Sequence, residues 1–236
     1  VYAGTKDGHL SALRASDGFP LWTYTSRTPQ SFSPVVADGM VFLNLQGGGM
    51  DVLRASTGSL LWRYTPRVPA LQLLTLPLVT NGVVYALTQD GQLFALRASN
   101  GSTVWRVALH ATNLLPPLIE TGGVIYVGAY DGSIDALRES SGSVLWRHQG
   151  GEEGLAFLLV AQGVVYLTFG ATSGTSITAL RASDGFVLWR YTLPVPPRQL
   201  SPVEADGLVL IASQDGSIDA LRSRSGSLLW HRAMNS

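Results

Sequence analysis

The sequence predicts an all-β fold, a six-bladed β-propeller of four-stranded antiparallel blades whose first blade lacks its innermost strand. The first observation is a repeat: six tryptophans recur at spacings of 40, 43, 41, 43 and 41 residues, and a period near forty is the size of one propeller blade. The second is that no segment shows a sustained apolar period of 3.6 residues, so no helix is predicted. The tryptophans are Trp22, Trp62, Trp105, Trp146, Trp189 and Trp230.

Two other residue types keep a fixed distance from each tryptophan. A glycine always lies four residues earlier and an arginine always lies eight residues earlier, which identifies six copies of one unit. The glycines are Gly18, Gly58, Gly101, Gly142, Gly185 and Gly226. The arginines are Arg14, Arg54, Arg97, Arg138, Arg181 and Arg222.

Turn chemistry divides each repeat into four strands, A to D in chain order. In the sixth repeat the dividing pairs are Asp206-Gly207, Asp215-Gly216 and Ser225-Gly226, and glycine accepts the positive φ that hairpin turns require. The nearly uncharged stretch from Gly154 to Gly170 is interpreted as two buried strands joined at Gln162-Gly163, rather than as a membrane span.

Strand A occurs only five times, beginning near Ser33, Leu76, Pro116, Phe157 and Ser201. Eleven of the twelve prolines lie in the D-to-A connections or at the start of strand A, where a residue without an N–H is tolerated. We expect one domain over residues 1–236, with repeats at about 1–30, 31–72, 73–114, 115–154, 155–198 and 199–236. Either blade 1 has three strands, or a strand from flanking sequence or from another chain completes it.

Composition limits the partners and the chemistry. Sixteen basic residues balance sixteen acidic residues, and only 14% of the residues are charged, which argues against binding to nucleic acid and against insertion into a membrane. The chain contains no cysteine, so disulfides and thiolate metal sites are excluded.

The segment Ala179 to Trp189, Ala-Leu-Arg-Ala-Ser-Asp-Gly-Phe-Val-Leu-Trp, resembles the tryptophan-docking motif of the PQQ-type, or quinoprotein-like, propeller family. The resemblance covers all six repeats and implies that the six tryptophans pack between adjacent blades, as core residues. One departure is systematic, since arginine stands in every repeat where the family's motif usually has aspartate. Catalytic members are longer, eight-bladed and hold a quinone over calcium beneath a vicinal disulfide. The chain is more similar to the non-catalytic branch of the bacterial outer-membrane assembly lipoprotein, which implies an extracytoplasmic or cell-surface location.

Residues present in every blade serve folding, so the six arginines are predicted to be structural, with side chains that cap strand or turn carbonyls. Function is expected in loops that differ between blades. The B-to-C turns and D-to-A connections lie at one end of a blade and vary, whereas the A-to-B and C-to-D turns are short and uniform. The candidate partner-binding residues at the variable end are Arg27, Gln46, Arg67, Tyr130, Glu152, Glu153, Thr172, Ser173 and Arg198.

These loops carry no recognisable catalytic or metal motif. The Asp-Gly turns at Asp7, Asp90, Asp131 and Asp215 are interpreted as turn formers rather than calcium loops, and blade 5 replaces this turn by a longer loop, residues 170–176. No catalytic residue, metal or cofactor is predicted. The leading hypothesis is a non-catalytic module that binds a protein, peptide or extended ligand. The alternatives are a quinone-binding protein and a multivalent binder of small ligands or glycans.

Overall fold

The structure is a computed structural model of the chain and describes residues 1–27, 33–45, 48–65, 73, 77–109, 114–149, 155–171, 174–193, 202–213 and 215–233. The chain divides into two compact units, Val1–Thr112 and Asn113–Ser236. Each unit holds three antiparallel sheets, which are blades 1 to 3 and blades 4 to 6 in chain order, and neighbouring strands of a sheet are consecutive in sequence. The single-domain organisation stays a prediction.

The first unit contains one three-stranded and two four-stranded blades. Blade 1 consists of β1 (Tyr2–Gly4), β2 (His9–Leu13) and β3 (Pro20–Thr25). Blade 2 consists of β4 (Val35–Ala37), β5 (Met40–Asn44), β6 (Met50–Arg54) and β7 (Leu60–Tyr64). Blade 3 consists of β8 (Leu78–Thr80), β9 (Val83–Leu87), β10 (Gln92–Arg97) and β11 (Thr103–Ala108).

The second unit contains three four-stranded blades. Blade 4 consists of β12 (Leu114–Thr121), β13 (Val124–Ala129), β14 (Ile134–Arg138) and β15 (Val144–His148). Blade 5 consists of β16 (Leu155–Ala161), β17 (Val164–Ala171), β18 (Gly174–Arg181) and β19 (Val187–Leu193). Blade 6 consists of β20 (Val203–Ala205), β21 (Leu208–Ala212), β22 (Ser217–Arg222) and β23 (Leu228–Ala233).

The predicted fold class is confirmed: the chain is a six-bladed β-propeller with only three strands in its first blade. Residues 155–171 form β16 and β17, joined at Gln162-Gly163 as predicted. Within the described residues, no helix has the length and hydropathy that a membrane-spanning helix needs.

The A-to-B turns follow from their sequence. In blades 2, 3 and 6 an Asp or Asn precedes a glycine, and both residues have positive φ, as in Asp38 (49°) and Gly39 (72°). Two successive positive φ values define the type I′ turn, whose twist matches that of the flanking strands.

The apolar core lies between consecutive blades. Its clusters join blades 1 and 2 and blades 2 and 3 in the first unit, and blades 4 and 5 and blades 5 and 6 in the second. Phe42 and Val52 of blade 2, for example, cluster with Val84 and Phe94 of blade 3, and none of the four is more than 7% exposed. Apolar contact between sheets therefore holds neighbouring blades together.

Four tryptophans reach from strand D of one blade to the C-to-D turn of the next. Their indole Nε1 atoms donate hydrogen bonds of 2.7 to 2.9 Å to backbone carbonyls, in the pairs Trp22–Ala55, Trp62–Ala98, Trp146–Ala182 and Trp189–Ser223. Each ring covers the turn glycine of that next blade so closely that an added Cβ would lie 2.4 to 2.6 Å from it, at Gly58, Gly101, Gly185 and Gly226.

The expectation that all six tryptophans are core residues is wrong for Trp230, which is 40% exposed. Trp146 and Trp189 are only 8% exposed. Each of the four tryptophans described above is covered by the blade that follows it in the sequence, and Trp230 lies in the last blade.

Candidate functional site

The B-to-C turn and the D-to-A connection lie at the same end of every antiparallel blade, which we call the loop end. Arg27, which follows β3, is exposed there. Tyr130, which follows β13, is 47% exposed, and its carbonyl accepts a hydrogen bond of 3.2 Å from the N–H of Leu155. That bond ties the loop end of blade 4 to the first strand of blade 5, so Tyr130 is presented on an anchored backbone. The remaining candidates lie outside the described residues: Gln46, Arg67, Glu152, Glu153, Thr172, Ser173 and Arg198.

Blade 5 differs from its neighbours at the loop end, and here the structure corrects the sequence prediction. Instead of a loop over residues 170–176, the strands continue to pair, with Phe169 opposite Ser176, Gly170 opposite Thr175 and Ala171 opposite Gly174. Because no Asp-Gly pair ends the hairpin early, and threonine is favoured in strands, β17 and β18 extend to eight residues each. The result is a hairpin longer than the B-to-C hairpins of the other blades.

The aspartates of the shorter B-to-C turns act as local acceptors. Asp131 Oδ1 accepts bonds from the N–H (2.9 Å) and the hydroxyl (2.6 Å) of Ser133, and Asp215 Oδ1 does the same with Ser217. The Ser217 hydroxyl lowers the pKa of Asp215, and the Thr5 hydroxyl lowers the pKa of Asp7. Asp131 and Asp215 therefore form Asx turns, which agrees with their interpretation as turn formers.

The repeat arginines belong to the C-to-D turns. The carbonyl of Arg14 accepts a bond from the N–H of Gly18, and its guanidinium pairs with Asp17 at 2.8 Å and lies 5.2 Å from the centre of the Phe19 ring. Blade 5 repeats the same contacts with Arg181. The expected capping of carbonyls by these side chains is thus wrong in blades 1 and 5, because a carboxylate three residues later is the nearer acceptor.

Three aspartates that the sequence did not single out are buried in the structure: Asp51, Asp135 and Asp219. Asp51 is fully buried, and its carboxylate binds the Arg63 guanidinium (Nη2 to Oδ2, 2.7 Å) and the hydroxyl of Tyr24 from the preceding blade. Desolvation of the Tyr24 hydroxyl, together with its hydrogen bond to Asp51, raises the pKa of Tyr24 to about 12, and the Asp51 bond also raises the pKa of Arg63. The signal was present in the sequence, because an aspartate stands eleven residues before the tryptophan in repeats 2, 4 and 6.

The same strand positions are paired in blades 4 and 6. Asp135 binds Arg147 at 2.5 Å, and Asp219 binds Nδ1 of His231 at 2.6 Å. All three pairs join strand C to strand D of one blade at directly opposite positions. Each carboxylate is thus bound by a basic side chain of its own sheet, and the three pairs hold strands C and D of their blades together.

In the parts of the chain that the structure describes, no three His, Asp or Glu side chains lie close enough together to hold a metal ion. His148 is half-buried, and desolvation together with nearby Arg190 lowers its pKa.

Comparison with known proteins identifies the repeat. The family model described as "Outer membrane protein assembly factor BamB" matches residues 1–113 and 74–236, which together span the chain. No curated protein matches the chain in sequence.

Several solved structures share the fold. The chain is similar to the crystal structure of BamB from Moraxella catarrhalis, with a TM-score of 0.71, 21% identity, and coverage of 98% of this chain and 69% of that one. It is also similar to the computationally designed Ika8 protein, with a TM-score of 0.69, 18% identity, and coverage of 99% and 71%. The quinohemoprotein alcohol dehydrogenase of Comamonas testosteroni gives a TM-score of 0.60 and 18% identity, and the match covers 86% of this chain but 43% of the enzyme.

Proposed function

Because the chain belongs to the outer membrane protein assembly factor BamB family, we propose that it is a non-catalytic scaffold that binds a protein or peptide at the loop end. The observation that supports this most directly is the long β17–β18 hairpin. It makes the loop end uneven, whereas the turn end, formed by the A-to-B and C-to-D turns, repeats nearly unchanged. Binding surfaces of rigid scaffolds are usually built from such variable loops.

The side chains available at this end suit a protein partner. Tyr130 and Arg27 are both exposed, and tyrosine and arginine are enriched at the energetic centres of protein interfaces. The proposal extends to the candidates outside the described residues: Gln46, Arg67, Glu152, Glu153, Thr172, Ser173 and Arg198. The family's name also leads us to propose a location in the bacterial envelope, outside the cytoplasm.

Photocrosslinking tests the binding surface. A photoreactive phenylalanine analogue at Tyr130 is expected to form a specific adduct with an envelope protein, and unlabelled chain should compete it away. The matched control places the same analogue at exposed Ser141, in the C-to-D turn of the same blade. Once the adduct has identified the partner, the variant Y130A should weaken its binding by about tenfold or more. Equal adducts from both ends of blade 4, or unchanged affinity of the variant, would contradict the proposal.

The described residues do not fit the quinone chemistry of the dehydrogenases. A calcium-held quinone needs a cluster of oxygen donors, and the four B-to-C turn aspartates lie in separate blades, with Asp131 and Asp215 bonded to the serines of their own turns. Titration with pyrroloquinoline quinone and calcium should therefore be flat, and stoichiometric binding would overturn the non-catalytic assignment.

We further propose that a strand from outside the sequence given completes blade 1. β1 pairs on one edge only, with β2, whereas the equivalent strand of blade 2, β5, lies between β4 and β6. A copy of residues 33–40 placed before Val1 supplies strand A and its Asp-Gly turn in register. That extension should raise the melting temperature, whereas an extension of the same composition in scrambled order should leave it unchanged. Equal effects of the two extensions would refute strand completion.

A further inference from the structure

A cavity of about 540 Å³ lies between blades 4 and 5 at their turn end. Val124 and Tyr126 line it from blade 4, and Val160, Gln162 and Ala182 line it from blade 5. The volume is within the range of small-molecule sites. Since the cavity is at the opposite end of the blades from the loop end, it is independent of the proposed protein-binding surface.

Comparison with the interface between blades 5 and 6 explains why a cavity remains between blades 4 and 5. Between blades 5 and 6 the positions of Val160 and Ala182 are taken by Glu204 and Ser223. The Glu204 carboxylate accepts bonds from the Gly207 N–H (3.2 Å) and the Ser223 hydroxyl (3.3 Å), so it occupies the corresponding region. Valine and alanine supply neither group, and the space between blades 4 and 5 stays open.

Gln162, at the rim of this cavity, has an unfavourable backbone conformation. Its φ is 50°, in the left-handed region that costs most residues about 1–2 kcal/mol. The equivalent residues Asp38, Asn81 and Asp206 are of the types that tolerate this region, because their short side chains bond the local backbone. A strained residue that lines a cavity is an indication of function.

The polar groups of the cavity define its ligand. Tyr126 is 3% exposed, and its hydroxyl makes only a long bond of 3.4 Å to the Ala182 carbonyl, which already accepts the Trp146 indole N–H at 2.8 Å. Burial raises the pKa of Tyr126, so its hydroxyl stays a neutral donor. None of the lining side chains is charged, and Val124, Val160 and Ala182 provide apolar walls.

We propose that this cavity binds an uncharged aromatic ring that carries one hydrogen-bonding group at its edge. The apolar walls accommodate the faces of the ring, while the Tyr126 hydroxyl and the Gln162 amide are available to its polar edge. A carboxylate or phosphate ligand would find no cation among the lining side chains. A sugar, with hydroxyls on every side of its ring, would set several of them against Val124, Val160 and Ala182, even though Thr121 and Ser183 also line the cavity.

Nuclear magnetic resonance titration with 4-methylphenol tests the site. The amide signals of Gly122 and Gly163 and the indole N–H signal of Trp146 should shift together, with a dissociation constant of about 1 mM or tighter. Benzoate and glucose serve as charged and polyhydroxyl comparison probes. Absence of shifts with 4-methylphenol, or equal shifts with either comparison probe, would overturn the proposal.

Two variants separate binding from folding. The double variant V160E/A182S transfers the residues of the blade 5–6 interface, where they are accommodated, and should abolish the shifts while the protein stays folded. The variant Q162N should raise the melting temperature, because asparagine tolerates positive φ, and yet weaken phenol binding several-fold. Unchanged phenol affinity in both variants would refute the assignment of the site.

A second probe distinguishes the two possible sources of the aromatic ring, a side chain of a bound protein and a free small molecule. A capped pentapeptide with a central tyrosine between glycines presents the same phenol on a polypeptide. Binding of the peptide at least as tightly as 4-methylphenol would indicate a side chain of a bound protein, and binding of 4-methylphenol alone would indicate a free small molecule. Failure of both probes would remove the site without affecting the proposal for the loop end.

Discussion

Substitution of Gly185 by alanine tests the contact between blades 4 and 5 against a closely matched control. The hexapeptide Arg-Ala-Ser-Asp-Gly-Phe occurs twice, around Gly18 and around Gly185, and both glycines have a φ of +72°. An added Cβ at Gly185 would lie 2.5 Å from the ring of Trp146, whereas at Gly18 it meets nothing within 4 Å. The two variants therefore share the backbone strain and differ in the clash.

The expected magnitudes follow from these two contributions. Left-handed backbone costs alanine about 1–2 kcal/mol relative to glycine at either site. At Gly185 the Trp146 ring must also move, which adds about 1–3 kcal/mol of overpacking and weakens the 2.8 Å bond to the Ala182 carbonyl. For a chain of this size each kcal/mol lowers the melting temperature by about 2–4 °C. G185A should therefore melt roughly 3–10 °C below G18A.

Calorimetry and urea unfolding followed by tryptophan fluorescence measure both variants. We expect G18A to melt about 2–8 °C below the parent, from the backbone cost alone, and G185A to melt clearly lower still, with an altered emission from Trp146 in the native state. Equal destabilisation of the two variants would refute the argument that the tryptophan, rather than the turn itself, requires glycine at this position.

Three further predictions concern the buried ion pairs. Replacing Asp51 by asparagine leaves Arg63 without its carboxylate and should cost about 3 kcal/mol in urea unfolding; a loss below about 1 kcal/mol, typical of exposed pairs, would contradict the burial argument. Because the pKa of Tyr24 is raised from 10 to about 12, its contribution to stability should be intact below pH 10 and lost as the pH rises towards 12. Unfolding of the parent and of Y24F as a function of alkaline pH measures this loss of stability, and identical profiles for the two proteins would contradict a contribution from Tyr24. In blade 6 the variant H231R should raise the melting temperature, because Asp219 would gain the arginine partner that Asp51 has; an unchanged or lower value would count against this pairing.

Local chemistry made most of the fold predictable. The Asp38-Gly39 turn requires two positive φ values that few other residue pairs accept, so the sequence alone locates the hairpin. The prediction from turn residues was wrong in blade 5, because the absence of an Asp-Gly pair shows only that no such turn ends the hairpin early and does not show where the strands end. Whether residues 170–176 form a loop or continue the strands depends on pairing across the hairpin.

Features that depend on register or on neighbours were harder to predict. Asp51 and Arg63 are twelve residues apart, and only the antiparallel alignment of strands C and D places them side by side. Trp230 occupies the same repeat position as Trp146, so the sequence cannot distinguish their exposure. At the loop end, the sequence identified Arg27 and Tyr130 as exposed candidates because variation between repeats is visible without coordinates.

The four described tryptophan bonds run in one direction along the chain. Each donor precedes its acceptor carbonyl by 33 to 36 residues, so during synthesis each of these indoles leaves the ribosome before the turn that it will cover. A newly synthesised blade can thus dock against an indole that is already present, an order that would allow the blades to assemble from the amino end. Loss of one tryptophan should correspondingly expose the turn amides of the following blade to hydrogen exchange and leave those of the preceding blade protected.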